Sequence, residues 1–196
     1  MVLIWLLYLQ LFYLQFRRHR KPCLVIHHAQ GHDPSDLCLL VNMSSEPVHV
    51  QCVLAKIRDD DRTITRPVTE LGEVSPTTSQ LESALRQGPI RPGDYMVLGT
   101  LEQILNLQPL IEERLQSAHT DTDRQVLPTH EIELCVVAVH GPSDHLVGAR
   151  RRFKVHRVKN GWVLQASEAQ TDQLASHRHI RIVKNWLDEY SQNTIS

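Results

Sequence analysis

Residues 37–57 read LCLLVNMSSEPVHVQCVLAKI, and their patterning decides the fold class. Two apolar runs, 37–43 and 48–57, flank the turn formers Ser44, Ser45, Glu46 and Pro47. In the second run Val48, Val50, Cys52 and Leu54 alternate with His49, Gln51 and Val53. Successive side chains on an extended chain point to opposite faces, so a period of two with β-branched residues marks a half-buried strand. The stretch predicts a β-hairpin, with residues 59–62 as the next turn.

The same signals recur on both sides. Residues 131–140 contain the apolar run LCVVAV, and Gly141, Pro142, Ser143 and Asp144 then turn the chain into a second strand, 146–158. Asn160-Gly161 is the strongest hairpin signal, because both central residues of a type I′ turn need positive φ; residues 162–164 close it. Upstream, residues 24–26 read as a short strand, followed by the polar loop HHAQGHDPSD at 27–36. Residues 68–71 and 95–98 are further strand candidates, though 67–92 have no clear period. Thr100 and Gln103 fit a capping box that opens short helices near 100–117, interrupted by Pro109. Many short strands with few helices predict a mainly β chain, an immunoglobulin-like β-sandwich in architecture. The Cys…Trp…Cys framework of disulfide-bonded immunoglobulin domains is not evident.

The two ends differ from this pattern. Residues 1–16, MVLIWLLYLQLFYLQF, carry no charge, and Arg17, Arg18, Arg20 and Lys21 follow. No basic residue precedes the run and no small-residue cleavage site follows it, which argues against a removable signal peptide. A run that is apolar all round predicts a membrane helix. Sixteen residues at about 1.5 Å each reach about 24 Å, against a hydrocarbon thickness of roughly 30 Å. Snorkelling arginines, local thinning or a start upstream of Met1 would account for the shortfall. The basic flank on the C-terminal side predicts a cytoplasmic main domain, with anionic headgroups beside Arg17, Arg18, Arg20 and Lys21. At the other end, Ser167 is placed to cap a helix over 168–190. Val183, Trp186, Leu187 and Tyr190 form its apolar stripe, and His177, Arg178, His179, Arg181 and Lys184 make the rest basic. The chain thus divides into an anchor with its flank (1–21), a β-rich cytosolic domain (22–166) and a C-terminal amphipathic helix and tail (167–196).

Composition narrows the function classes. The 196 residues carry 21 Lys and Arg against 22 Asp and Glu, so no bulk charge favours nucleic acid. Half of the aromatic residues lie in 1–16, which leaves the rest short of stacking platforms for single strands. The four cysteines lack CxxC spacing and mostly sit in apolar runs, so free buried thiols are expected. No GxGxxG or GxxxxGK[ST] loop occurs.

Few residue clusters suggest chemistry. His27, His28, His32 and Asp33 are the candidate metal ligands by residue type, although a solvated polar loop explains them as well. Ser143, Asp144 and His145 are sequence neighbours in a turn, where triad geometry rarely forms. Asp59, Asp60 and Asp61 lack the EF-hand pattern and read as a hairpin tip. On a strand, Arg152, Lys154 and His156 share one face while Phe153 and Val155 share the other, which predicts a basic ladder facing solvent. These readings converge on a single-pass membrane protein without a cofactor, acting as a non-enzymatic interaction or scaffold module at the cytoplasmic face. A bacterial inner membrane is the assumed setting. The expected partners are the membrane, a protein and, through the basic surfaces, anionic headgroups; nucleic acid is not expected. The alternatives are a metal-binding or enzymatic domain using His27, His28 and His32, and an anionic-lipid or nucleic-acid binder using residues 150–159.

Overall fold

The computed structural model describes residues 2–19, 21–28, 37–58, 63–68, 86–100, 103–104, 130–141, 145–158, 161–176 and 178–195. Among them, helices α1 (Val2–His19) and α2 (Ile180–Ile195) enclose ten strands in the sequence. These are β1 (Leu24–His28), β2 (Leu37–Asn42), β3 (Val48–Arg58), β4 (Thr63–Pro67), β5 (Gly88–Ile90), β6 (Tyr95–Thr100), β7 (His130–His140), β8 (His145–Val158), β9 (Gly161–Ala166) and β10 (Asp172–Leu174). The chain is mainly β, in two antiparallel sheets. A small sheet runs β1-β2-β6. A large sheet runs β10-β8-β7-β3-β4, with β5 beside β3 and β9 beside β8.

The expected hairpin at 37–57 does not form. Both runs are strands, but β2 pairs with β1 and β6, whereas β3 pairs with β7, β4 and β5. The turn between them crosses from one sheet to the other. Asn42, fully buried, organises the crossing: its Nδ2 donates to the carbonyls of Glu46 and Ile90, both at 3.0 Å, and its Oδ1 accepts from the Ser44 N–H at 2.9 Å. Ser44 Oγ in turn accepts from the Cys23 N–H at 2.9 Å. A buried amide with three partners is a stable hinge, because none of its polar groups is left desolvated and unmade.

The facing sides of the sheets form the main core. Leu24, Ile26, Cys38, Leu40 and Leu98 of the small sheet pack with Val48, Val50, Val53, Ile132, Leu134, Val136 and Phe153 of the large one. The other side of the large sheet is covered by α2. Val183 and Trp186 pack there with Cys52, Leu54, Cys135, Val137 and Leu174, with Leu187 and Tyr190 alongside. Coverage on both faces explains why Cys52–Ala55 and Leu134–Ala138 are buried without alternation. Polar contacts fix α2 in register. Lys56 Nζ meets Glu189 Oε2 at 2.6 Å, and Gln87 Nε2 donates to the Tyr190 hydroxyl at 2.8 Å.

Three further expectations change. The C-terminal helix begins at Ile180, not 168, because the preceding chain forms β10 and delivers Leu174 to the α2 core. The β8–β9 pairing sets Val158 against Gly161, so Gly161 starts the strand, and residues 159–160 lie outside the described residues. Residues 88–90, read as part of a turn, form β5 on β3. The capping box does form: Thr100 N–H reaches Gln103 Oε1 at 3.2 Å and Gln103 N–H reaches Thr100 Oγ1 at 3.1 Å. The helices expected beyond residue 104, the acidic tip at 59–61 and residues 142–144 lie outside the described residues.

The predicted anchor is a helix, α1, but no helix among the described residues is long and apolar enough to cross a membrane. Gln10, Gln15 and the terminal Arg17, Arg18 and His19 dilute its apolar run.

Candidate functional site

Among the described residues, α1 carries a long run of exposed apolar side chains. Val2 to Leu14 form a helix because leucines, unbranched at Cβ, dominate the run and no Gly or Pro interrupts it. Yet its large apolar side chains remain 51–81% exposed, Leu14 being the least and Leu3 the most. Gln10 and Gln15 lie five positions apart, about 140° around the axis, so they make no continuous polar face. Such a helix suits an environment that is apolar on every side, unlike an amphipathic helix with one buried stripe. Lys21 at its foot is exposed; Arg20 lies outside the described residues, and Arg17 and Arg18 belong to the last turn of α1.

A second apolar surface lies on and beside the small sheet. Leu37, Tyr95 and Val97 are 46%, 60% and 37% exposed, and Met43 beyond β2 is 62% exposed. Their strand neighbours Cys38, Met96 and Leu98 turn inward to the main core. Exposed apolar groups clustered in this way are a usual mark of a contact surface.

The histidine candidates do not converge on β1. His27 is exposed, while His28 turns inward, its ring centroid 6.1 Å from that of Phe153. Adjacent residues on a strand point to opposite faces, so these two imidazoles cannot share an ion. His32 and Asp33 lie outside the described residues, among which no group of three or more His, Cys, Asp or Glu is arranged to hold a metal.

The basic strand is more occupied than its sequence suggests. Phe153 and Val155 are buried in the main core, and Lys154 is exposed on the other face. His156 sits on β8 opposite Val163. Arg152, however, is half-buried between Glu168, at 3.1 Å from its Nη1, and Glu133, at 3.9 Å from its Nε. Arg150 likewise lies between Asp172 at 2.8 Å and Glu133 at 3.5 Å. Burial alone would lower the Arg150 pKa, but the Asp172 hydrogen bond and the Glu133 carboxylate outweigh it and raise it. The Arg150 hydrogen bond holds Asp172 below its ordinary 3.8. The signal missed in the sequence is HEIEL at 130–134. Its Glu131 and Glu133 lie opposite Lys154 and Arg152 across β7 and β8.

All four cysteines are free, and Cys38, Cys52 and Cys135 are buried. Burial pushes the Cys38 and Cys52 thiols up to about 12, and raises Cys135 well above its ordinary value. Neutral buried thiols are poor nucleophiles at physiological pH.

Compared with protein-family models, with curated proteins and with solved structures, the chain matches none.

Proposed function

We propose that this chain is a membrane-anchored, non-enzymatic interaction module, with α1 inserted in a bilayer and an immunoglobulin-type sandwich held at its cytoplasmic face. The single observation that carries this reading is the exposure of α1. Its apolar side chains cover every side of the helix and stand more than half exposed in the folded chain. Lipid covers all sides at once, whereas an interfacial helix needs a polar face toward water. The shortfall in length is met by local thinning of the bilayer beside the basic flank of Arg17, Arg18 and Lys21. The same basic flank orients the sandwich toward the cytoplasm.

Exposed Leu37, Met43, Tyr95 and Val97 support the interaction half of the reading. A basic-strand ligand has less support, because Arg150 and Arg152 already have carboxylate partners.

Co-flotation of the full chain with lipid vesicles tests the anchor. The wild type floats and resists alkaline extraction. The full chain carrying Leu7→Glu and Leu11→Glu, both exposed positions of α1, stays in the aqueous fraction. Equal flotation of that variant would sink the proposal, as would a wild type that stays in solution beside vesicles.

A further inference from the structure

We infer that one end of the small sheet docks on the bilayer that holds α1, with Met43 and Tyr95 entering the headgroup layer. The inference rests on the insertion of α1 and assigns the sandwich its own lipid contact.

The outer face of the small sheet is apolar in successive register rows. Val25 pairs with Val41, and Val41 with Tyr95; in the next row Leu39 lies between His27 and Val97. Alternation turns their neighbours Leu24, Ile26, Leu40 and Leu98 into the main core. Met43 extends the face beyond the first row, where its N–H donates to the Cys23 carbonyl at 2.8 Å. Met43 and Tyr95 are more exposed than Leu37 and Val97, so the most exposed apolar groups lie at the Cys23 end.

That end is the one tied to α1. Cys23 follows His19, the last residue of α1, by four positions, at most about 14 Å of extended chain. Cys23 holds Met43, and Tyr95 stands two strands over from β1, about 10 Å. With α1 in the bilayer, neither side chain can stand far from its surface. Removing their apolar area from water is favourable, and a Tyr ring with a polar hydroxyl suits a boundary that is dry on one side and wet on the other.

The turn of residues 91–94 borders the same end. Gly93 N–H donates to the Asn42 carbonyl at 2.8 Å, and Asn42 N–H to the Asp94 carbonyl at 2.9 Å. Among the described residues, the exposed charges here are Lys21, Arg91 and Asp94, and Asp94 Oδ1 accepts from the Tyr95 N–H at 3.1 Å. Arg17, Arg18 and Arg20 in the adjoining flank make cations predominate, which favours anionic headgroups. A protein partner at this end would have to enter the narrow space between sandwich and bilayer. It has more room at Leu37, six strand steps from Met43, about 20 Å.

The full chain carrying Tyr95→Trp, reconstituted in phosphatidylcholine–phosphatidylglycerol vesicles with acyl chains brominated close to the headgroups, tests the contact. The chain without the substitution is measured beside it to subtract Trp5, Trp162 and Trp186. Ile64→Trp is the control: this exposed position pairs with Ile57, nine strand steps, about 30 Å, along β3 from Val48. The indole at position 95 is expected to shift to the blue and lose emission to the bromines, and the one at 64 to do neither. Met43→Glu is expected to restore emission at position 95. Flotation of each variant reports on α1 separately. A chain that floats, but whose position-95 emission is unshifted, open to acrylamide and untouched by the bromines, overturns the docking and leaves the anchor standing. A chain that does not float overturns both. Shielding from acrylamide that grows with the protein-to-lipid ratio, without bromine quenching, gives the face to a second copy and overturns the lipid assignment.

Discussion

The side-chain amide of Gln173 takes the place of a neighbouring strand beside Leu24: it accepts from the Leu24 N–H at 3.0 Å and donates to the Leu24 carbonyl. Two residues along β1, Thr171 Oγ1 accepts from the Ile26 N–H at 3.0 Å, and Arg151 donates to the Ile26 carbonyl. The outer edge of the small sheet is thus sealed by side chains that belong to the large sheet or the approach to it. A sealed edge resists pairing with other chains, and here the seal also ties the two sheets together.

Removing that seal has a defined cost. Gln173→Ala is expected to lower stability by about 1–2 kcal/mol, the range for backbone groups that lose a partner at a partly buried site. The denaturant midpoint falls with an unchanged slope, and the Leu24 amide exchanges hydrogen faster. An unchanged midpoint with unchanged exchange would show that water replaces the amide at no cost.

Gly148 sets how closely α2 approaches the large sheet. A Cβ at this position would lie 2.8 Å from Val183 Cγ2, 3.2 Å from Trp186 Cζ3 and 3.3 Å from Leu174 Cβ. Gly148→Ala therefore forces α2 outward, at an expected cost of about 1–3 kcal/mol. Trp186 is 4% exposed, so its near-UV circular dichroism weakens as its packing loosens. A variant with wild-type stability and an unchanged spectrum would mean that α2 shifts freely over the sheet.

The buried thiols give the fold an alkaline limit. Cys38 and Cys52 move from the ordinary 9.0 to about 12 in the folded chain, with desolvation the leading cause for each. Unfolded, they release protons above 9.0; folded, they keep them, so the unfolded state gains as pH rises. Their stabilising contribution is full below 9.0 and declines toward 12. Arg86, drawn down to about 10, acts in the opposite sense above that value. The clean window is therefore about pH 9–10, where the denaturant midpoint falls with pH and Cys52→Ala flattens the fall. A wild-type midpoint that is level or rising across that window would contradict the burial of these thiols.

The strands were more legible in the sequence than their partners. β7 and β8 are readable because the apolar run LCVVAV, a Gly-Pro pair and a stretch of alternating basic and apolar residues follow one another, and the chain has only to double back. β2 and β3 are equally readable as strands, but alternation reports which face is buried and not which sheet a strand joins. The crossing depends on Asn42 binding Glu46, Ile90 and Ser44, and Ile90 is distant in sequence. β10 is three residues long and rests on one buried side chain, Leu174, so it leaves no periodic trace. The candidate sites follow the same rule. The apolar character of α1 is local and was plain. The pairing of Arg152 with Glu133 and Glu168 arises only when separate parts of the chain meet.

Trp5 reports most directly on where α1 resides. It is 76% exposed in the folded chain, so only an outside layer can cover it. The full chain is reconstituted in vesicles with brominated acyl chains, and Trp5→Phe is measured beside the wild type to subtract Trp162 and Trp186. Insertion predicts that the Trp5 emission is quenched by the bromines and is shielded from aqueous iodide. Emission that iodide quenches in the presence of vesicles, and that brominated chains leave unchanged, would contradict it.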